Sequence, residues 1–164
     1  MKNYTLKQYI EVFHILFLRQ LGARLDKKLY AIKGGCNMRF YFNSIRYSED
    51  LDIDIHTVAK ETLTKNINLI LNSNPFKSIL KSNGLEILSH NASKQTPTTQ
   101  RWKITLKAKD NSVPINTKIE FSRRNYSTDV SYETINTDIL KQYSLPPIMA
   151  NHYCLHEMVD HETN

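Results

Sequence analysis

A chain of 164 residues with 40% hydrophobic and 23% charged residues can bury one core, which excludes a wholly disordered chain and a bare coiled coil. Its formal charge of +6 favours anionic partners, nucleotides and RNA among them, although scattered Lys and Arg on an ordinary basic surface account for the charge equally well. The longest apolar stretch, 12–18, is interrupted by His14 and falls short of the ~20 residues of a membrane span, no signal-peptide cleavage pattern is seen, and Cys36 and Cys154 lack CxxC spacing, so a single cytoplasmic domain over residues 1–164 is expected.

From Leu6 to Leu25, Tyr9, Ile10, Phe13, Leu16, Phe17 and Leu21 recur at helical spacing and predict an amphipathic helix against the core, with Glu11 and Arg19 in its polar pattern. Leu29 to Ile32 reads as a short strand, broken by Gly34 and Gly35, after which 37–42 restarts as a helix. Ser48 to His56 alternates acidic with aliphatic residues, so a strand there projects Asp50, Asp52 and Asp54 from one face. A second amphipathic helix is expected over 57–71, ended by Asn72, Asn74 and Pro75. Strand patterns follow at 85–89, 101–108 and 115–122, separated by a polar loop at 91–100 and a turn at 110–114. Beyond Pro146-Pro147, residues 148–159 have the pattern of a helix.

Three carboxylates on one strand face, with Glu49 beside them, repel one another unless cations neutralise them. Magnesium suits such a site, because it takes one or two carboxylates together with phosphate oxygens and water. A solvent-facing strand edge explains an isolated DxD just as simply. What shifts the balance is the Gly34-Gly35 turn upstream, since bare backbone amides at a helix start can cradle the phosphates that a metal also holds. Glu120, on one face of the strand 118–122 with Lys118 and Ser122, is the candidate third carboxylate.

The runs Ile32-Lys33-Gly34-Gly35-Cys36-Asn37-Met38-Arg39 and Arg46-Tyr47-Ser48-Glu49-Asp50-Leu51-Asp52-Ile53-Asp54 together resemble the signature of the AbiEii-type toxin family of nucleotidyltransferases. The resemblance implies an α/β (α+β) fold, a nucleotidyltransferase-like mixed sheet with flanking helices related to the core of DNA polymerase beta. It also implies binding of a nucleoside triphosphate and magnesium, transfer of a nucleotide to an acceptor that is tRNA for some relatives, and an antitoxin partner. Carried over, Gly34 and Gly35 hold the triphosphate, Asp50 and Asp52 ligate metal, and Glu120 completes the carboxylate set. Lys33, Arg39 and Arg46 lie in or beside the motifs as candidate phosphate-screening cations, although Arg39 or Arg46 could equally pair with Asp54 or Glu49 and orient the strand.

The sequence departs from the family pattern at Cys36, where a Thr or Ser hydroxyl would be the better donor to phosphate. The family's long helical C-terminal region is also largely absent from these residues. Both departures leave open a remnant that binds nucleotide or protein without turnover, while the same carboxylates with Lys118 would also serve a magnesium-dependent nuclease. On a terminal helix, His152 and His156 would share a face at zinc-binding spacing near Cys154 and His161, but no fourth ligand is evident and packing is the simpler reading. Tyr41, Phe42 and Tyr47 are candidates for base stacking or for packing around the turn. Arg123 and Arg124 are candidates for an acceptor phosphate or for a solvated strand end.

Overall fold

The computed structural model describes residues 3–124 and 129–154, and its elements assemble on one seven-stranded sheet. In chain order they are α1 (Leu6–Arg24), a 3-10 turn (Lys27–Leu29), β1 (Tyr30–Lys33), α2 (Gly34–Tyr41), β2 (Asp50–Ile55), α3 (Lys60–Asn72), α4 (Asn74–Ser82), β3 (Leu85–Gln95), β4 (Thr99–Ala108), β5 (Ile115–Arg123), β6 (Val130–Thr134), α5 (Thr137–Gln142) and β7 (Met149–Tyr153). The strand order is β3-β4-β5-β2-β1-β7-β6. β2 runs parallel to β5 and antiparallel to β1, and β7 runs parallel to β1, so the sheet is mixed as expected.

α1 starts in a capping box: the Thr5 hydroxyl accepts from the Gln8 N–H, and the Gln8 side chain accepts from the Thr5 N–H. From Tyr9 to Leu18 every residue is buried, so α1 does lie against the core, but over these turns it is covered all round and has no polar face in water. Its polar residues are buried because each is matched. Glu11 receives two bonds from the Arg39 guanidinium, at 2.8 and 3.1 Å, and one from the Tyr143 hydroxyl at 2.7 Å. Removing one partner of such a pair typically costs roughly 3–5 kcal/mol, because a charge is left buried and unpaired. His14 lies 2.8 Å by Nε2 from the Thr117 hydroxyl, which donates to the Glu49 carbonyl at 2.6 Å. That hydroxyl has one hydrogen and spends it on the carbonyl, so the imidazole donates through Nε2 and is neutral at Nδ1.

Several boundaries differ from the sequence expectation. The polar stretch 91–100 is not a loop: β3 continues to Gln95 and β4 begins at Thr99, closed by a turn in which the Thr99 N–H donates to the Thr96 hydroxyl at 3.0 Å. Gln100 is buried there and bonds Lys60 O, the Thr64 hydroxyl and the Gln95 side chain, so polar residues serve as core at the strand end. Pro75 ends nothing by itself but sits in the first turn of α4, where its missing N–H is harmless, behind the Ser73 cap. β6 and α5 carried no recognised signal. The expected helix over 148–159 begins instead as β7, whose residues Ala150 to Tyr153 are all buried between β1 and β6. A strand covered on both faces shows no alternation, so its apolar run is indistinguishable from a helix by pattern.

α1, α3 and α4 pack together on one face of the sheet, with the Trp102 indole N–H of β4 donating to Asn68 of α3 at 3.1 Å. β4 alternates accordingly: Gln100, Trp102, Ile104, Leu106 and Ala108 are buried toward the helices, and Arg101, Lys103, Thr105 and Lys107 face the other way. No described helix is long and apolar enough to cross a membrane.

Burial lowers the His14 imidazole from its ordinary 6.5 to about 3. Between those values the unfolded chain binds a proton that the folded chain excludes, so stability falls as pH drops from 6.5 toward 3. At pH ~5 the loss is about 2 kcal/mol at ~1.4 kcal/mol per pH unit. Urea unfolding should therefore show the wild type losing about that much more than His14→Gln between neutral pH and pH ~5; equal losses would remove His14 from the acid response.

Candidate active site

α2 begins at Gly34 itself, with Lys33 as an N-cap that makes no side-chain capping bond, so the first amides of the helix are uncapped and Gly34 and Gly35 are exposed. Gly34 has φ +68°, a left-handed conformation that glycine adopts without strain. A Cβ there would lie 3.4 Å from Asp52 Oδ2, so the turn and the carboxylate strand are in direct apposition. At Gly35 a Cβ would meet the Ser48 Oγ at 2.8 Å and the Ser48 Cβ at 3.1 Å. The Ser48 hydroxyl donates to the Asp50 carbonyl at 2.7 Å, so the close approach at Gly35 locks the turn onto the start of β2.

The three aspartates of β2 meet different surroundings. Asp50 accepts from the Lys118 N–H of β5 at 3.1 Å. Asp54 is fully buried, with Lys33 Nζ at 2.6 Å, Arg124 Nε at 3.5 Å and the Tyr153 hydroxyl donating to it. Among the described residues, neither a hydrogen bond nor an ion pair meets the Asp52 carboxylate. Burial first, then the charges of Glu120, Asp50 and Asp54 against the opposing Lys33, push Asp52 above the usual carboxylate range. Glu120 is the direct cross-strand neighbour of Asp52 in the parallel β2–β5 register, and its Oε2 accepts from Arg101 Nε at 2.6 Å.

Asp52 and Glu120 thus stand side by side, with Asp52 against Gly34, and Asp50 lies two residues away on the same face of β2, beside Lys118. Lys33 is engaged by Asp54, and Arg46 is exposed in the loop that leads into β2, its backbone N–H donating to the Ser44 hydroxyl at 3.2 Å. Arg39 pairs with neither Asp54 nor Glu49 but with Glu11, and its guanidinium lies over the Tyr47 ring at 4.3 Å. Cys36 is buried with Sγ 3.5 Å from Asp50 O and 3.7 Å from His14 Nδ1, and burial pushes its thiol up to about 12. It points into the core, so its lack of a hydroxyl does not weaken the turn toward phosphate as the sequence suggested.

The base-stacking and zinc readings also change. Tyr41 stacks on His152 with ring centroids 3.6 Å apart, and His152, on β7 rather than on a helix, bridges Asn37 and Glu133; His156 and His161 lie outside the described residues. The Arg123 guanidinium is taken by Val58 O at 3.0 and 3.3 Å. Sequence reasoning missed Ser48 and Arg101. A hairpin register drawn from the 110–114 turn would have set Arg101 opposite Glu120.

For a metal, the donors are hard carboxylate oxygens and the Asp52 charge is unmatched, which fits a hard divalent ion. Among the described residues no group of three or more His, Cys, Asp or Glu is placed to hold a metal ion by itself, so an ion here would be held by one or two carboxylates together with phosphate or water oxygens. The residues present fit on those terms.

The architecture is that of nucleotidyltransferase toxins. The family described as nucleotidyl transferase AbiEii toxin, type IV toxin-antitoxin system, matches residues 16–159, and the chain belongs to it. JHP933 from Helicobacter pylori is similar in fold at a TM-score of 0.66 and 18% identity, over 98% of this chain and 57% of that one. MenT4, the nucleotidyltransferase toxin Rv2826c from Mycobacterium tuberculosis H37Rv, is similar at 0.65 and 17%, over 95% and 51%. The chain therefore spans about half the length of these relatives. No curated protein matches it in sequence.

If Gly35 must stay bare to admit Ser48, Gly35→Ala should lower stability by about 1–3 kcal/mol. Combining it with Ser48→Gly should recover a large part of that loss in a double-mutant cycle read by urea unfolding; an additive cycle would mean that the two residues do not compete for the same space.

Proposed function

We propose that this protein transfers a nucleotide from a nucleoside triphosphate to an RNA acceptor, as the toxin of a cytoplasmic toxin-antitoxin pair. The reading rests above all on the unmatched Asp52 carboxylate, set beside Glu120 and against the exposed start of α2 at Gly34. Family membership supports a transferase and suggests an antitoxin partner. Gly34 and Gly35 present amides and a helix N-terminus to the triphosphate, which favours negative charge there. Asp50 and Asp52, with Glu120, would hold magnesium, which when bound supplies positive charge to the phosphoryl group. Arg46, exposed in the loop before β2, would screen phosphate, while Lys33 acts through Asp54 to hold β1 against β2. The acceptor hydroxyl would attack the α-phosphorus in line, forming the new phosphodiester bond while the bond to the β-phosphate breaks, pyrophosphate leaves and the hydroxyl proton passes to solvent. This step depends on positioning and charge rather than on covalent chemistry by the protein.

One observation favours the runner-up, binding without turnover: Arg101 occupies an oxygen of Glu120 and so competes for the third ligand position. Transfer of label from α-labelled nucleoside triphosphates to total RNA with magnesium separates the two. We expect incorporation by the wild type, lost roughly 100-fold or more in Asp50→Asn and Asp52→Asn with circular dichroism unchanged. Nucleotide binding without incorporation would support the impaired reading, and shortened RNA would replace transfer by hydrolysis.

A further inference from the structure

The sheet face opposite the helices carries a pattern that the carboxylate site does not absorb. Cross-strand partners share a face, so the register can be read outward from the carboxylates, row by row. In one row Asp52 neighbours Glu120, Glu120 neighbours Arg101, and Arg101 neighbours Lys94. In the next, Asp50 neighbours Lys118, Lys118 neighbours Lys103, and Lys103 neighbours Asn91. A neutral row follows, in which the Thr105 hydroxyl donates to Asn116 at 3.0 Å. Beyond it Lys107 of β4 stands beside Glu86 of β3. Lys94, Lys103, Lys107 and Lys118 are exposed, and Arg101 is partly exposed while it holds Glu120.

The face thus changes sign from one strand to the next, from Asp50, Asp52 and Glu120 on β2 and β5 to Lys118, Arg101, Lys103 and Lys94 on β5, β4 and β3. Neighbouring strands lie about 4.8 Å apart, and same-face residues on one strand recur about every 6.8 Å. The cations therefore begin one strand from the carboxylates and continue along β4 in steps that an extended, flexible polyanion can follow. Like charges side by side on strands are destabilising without a counter-charge, and Lys103 directly opposite Lys118 is such a pair.

We propose that this open face of β3, β4 and β5 seats the phosphodiester backbone of the single-stranded RNA end whose terminal hydroxyl is presented to Asp50 and Asp52. The proposal rests on the transferase reading for the role of the RNA, while the surface itself rests on register and charge. Arg101, next to Glu120, meets the last phosphate, and Lys103, Lys118, Lys94 and Lys107 meet those upstream. Phosphate pairing of this kind is independent of base sequence and strongly salt-dependent.

The test is fluorescence anisotropy with a labelled single-stranded RNA of about ten nucleotides, titrated from about 50 to about 200 mM salt. Three proteins are compared: the wild type, Lys94→Gln/Lys103→Gln/Lys107→Gln, and the charge-matched control Lys7→Gln/Lys65→Gln/Lys141→Gln on the helices. The face variant should weaken binding at least roughly tenfold and reduce the slope of log K against log salt by about 2, at ~0.7 for each phosphate left without its cation. The control should stay close to wild type. Absence of RNA binding by the wild type, an unchanged face variant, or equal losses in both triple variants would overturn the surface. Asp52→Asn tells the two readings apart, because it should abolish label transfer yet keep RNA affinity. RNA binding that follows the face, with no transfer by the wild type, sinks the transferase reading alone; transfer with RNA affinity indifferent to the face variant sinks this surface alone.

Discussion

β2 holds Asp50, Asp52 and Asp54 near the middle of a seven-stranded sheet, and three like charges at that spacing must each find a counterpart or remain destabilising. Two of them do. A β5 backbone amide meets Asp50, and a lysine, an arginine and a tyrosine hydroxyl converge on Asp54. Asp52 alone is left half-buried beside another carboxylate, and its raised pKa expresses that cost. The rest of the site is organised around that unmatched charge: the glycine turn leaves room for it, and the parallel pairing with β5 brings Glu120 to it.

The parallel pairing depends in turn on α1. His14 reaches from the helix to Thr117 of β5, and Thr117 passes a hydrogen bond to Glu49 at the mouth of β2, so helix, strand and site loop are tied through two side chains. One turn away, Glu11 ties α1 to Arg39 of α2 and to Tyr143 after α5. These polar links cross a core that is otherwise apolar, where an unpaired group is expensive and a satisfied one restricts the alternatives. The position of the glycine turn relative to the carboxylates is therefore set from behind, by side chains that never touch the open face.

Much of this was legible in the sequence, and the failures share a cause. Strict alternation at 50–55 and 118–122 located the carboxylates and their common face, because the carboxylate face stays partly open at Asp50, Asp52 and Glu120, although Asp54 at the end of β2 is buried on both sides. The helical spacing of 6–25 gave the right element but the wrong environment, since spacing cannot tell a solvated Glu11 from one paired with Arg39 across 28 residues. β7 was misread because a strand buried on both faces loses its period. Cys36 looked like a defect in the phosphate turn when judged by its neighbours in sequence; its partners are Asp50 O and His14, which only the fold brings near. Local chemistry was readable and long-range pairing was not.

The same distinction bears on the charge. A net +6 says little by itself, because charges farther apart than a Debye length, about 8–10 Å at ordinary ionic strength, are largely screened from one another. What counts is which cations lie within that distance of the carboxylates. On the open face, the β4–β5 hairpin puts Arg101 beside Glu120 and the parallel β2–β5 pairing puts Lys118 beside Asp50, so the field there reverses over a single strand spacing. An uncharged ligand gains nothing from such a reversal, and a bare polyanion is repelled at the β2 side. A ligand that carries negative phosphates along most of its length and ends in a neutral hydroxyl is matched at both ends, with the hydroxyl brought to the place where a cation beside Asp52 would balance the carboxylates.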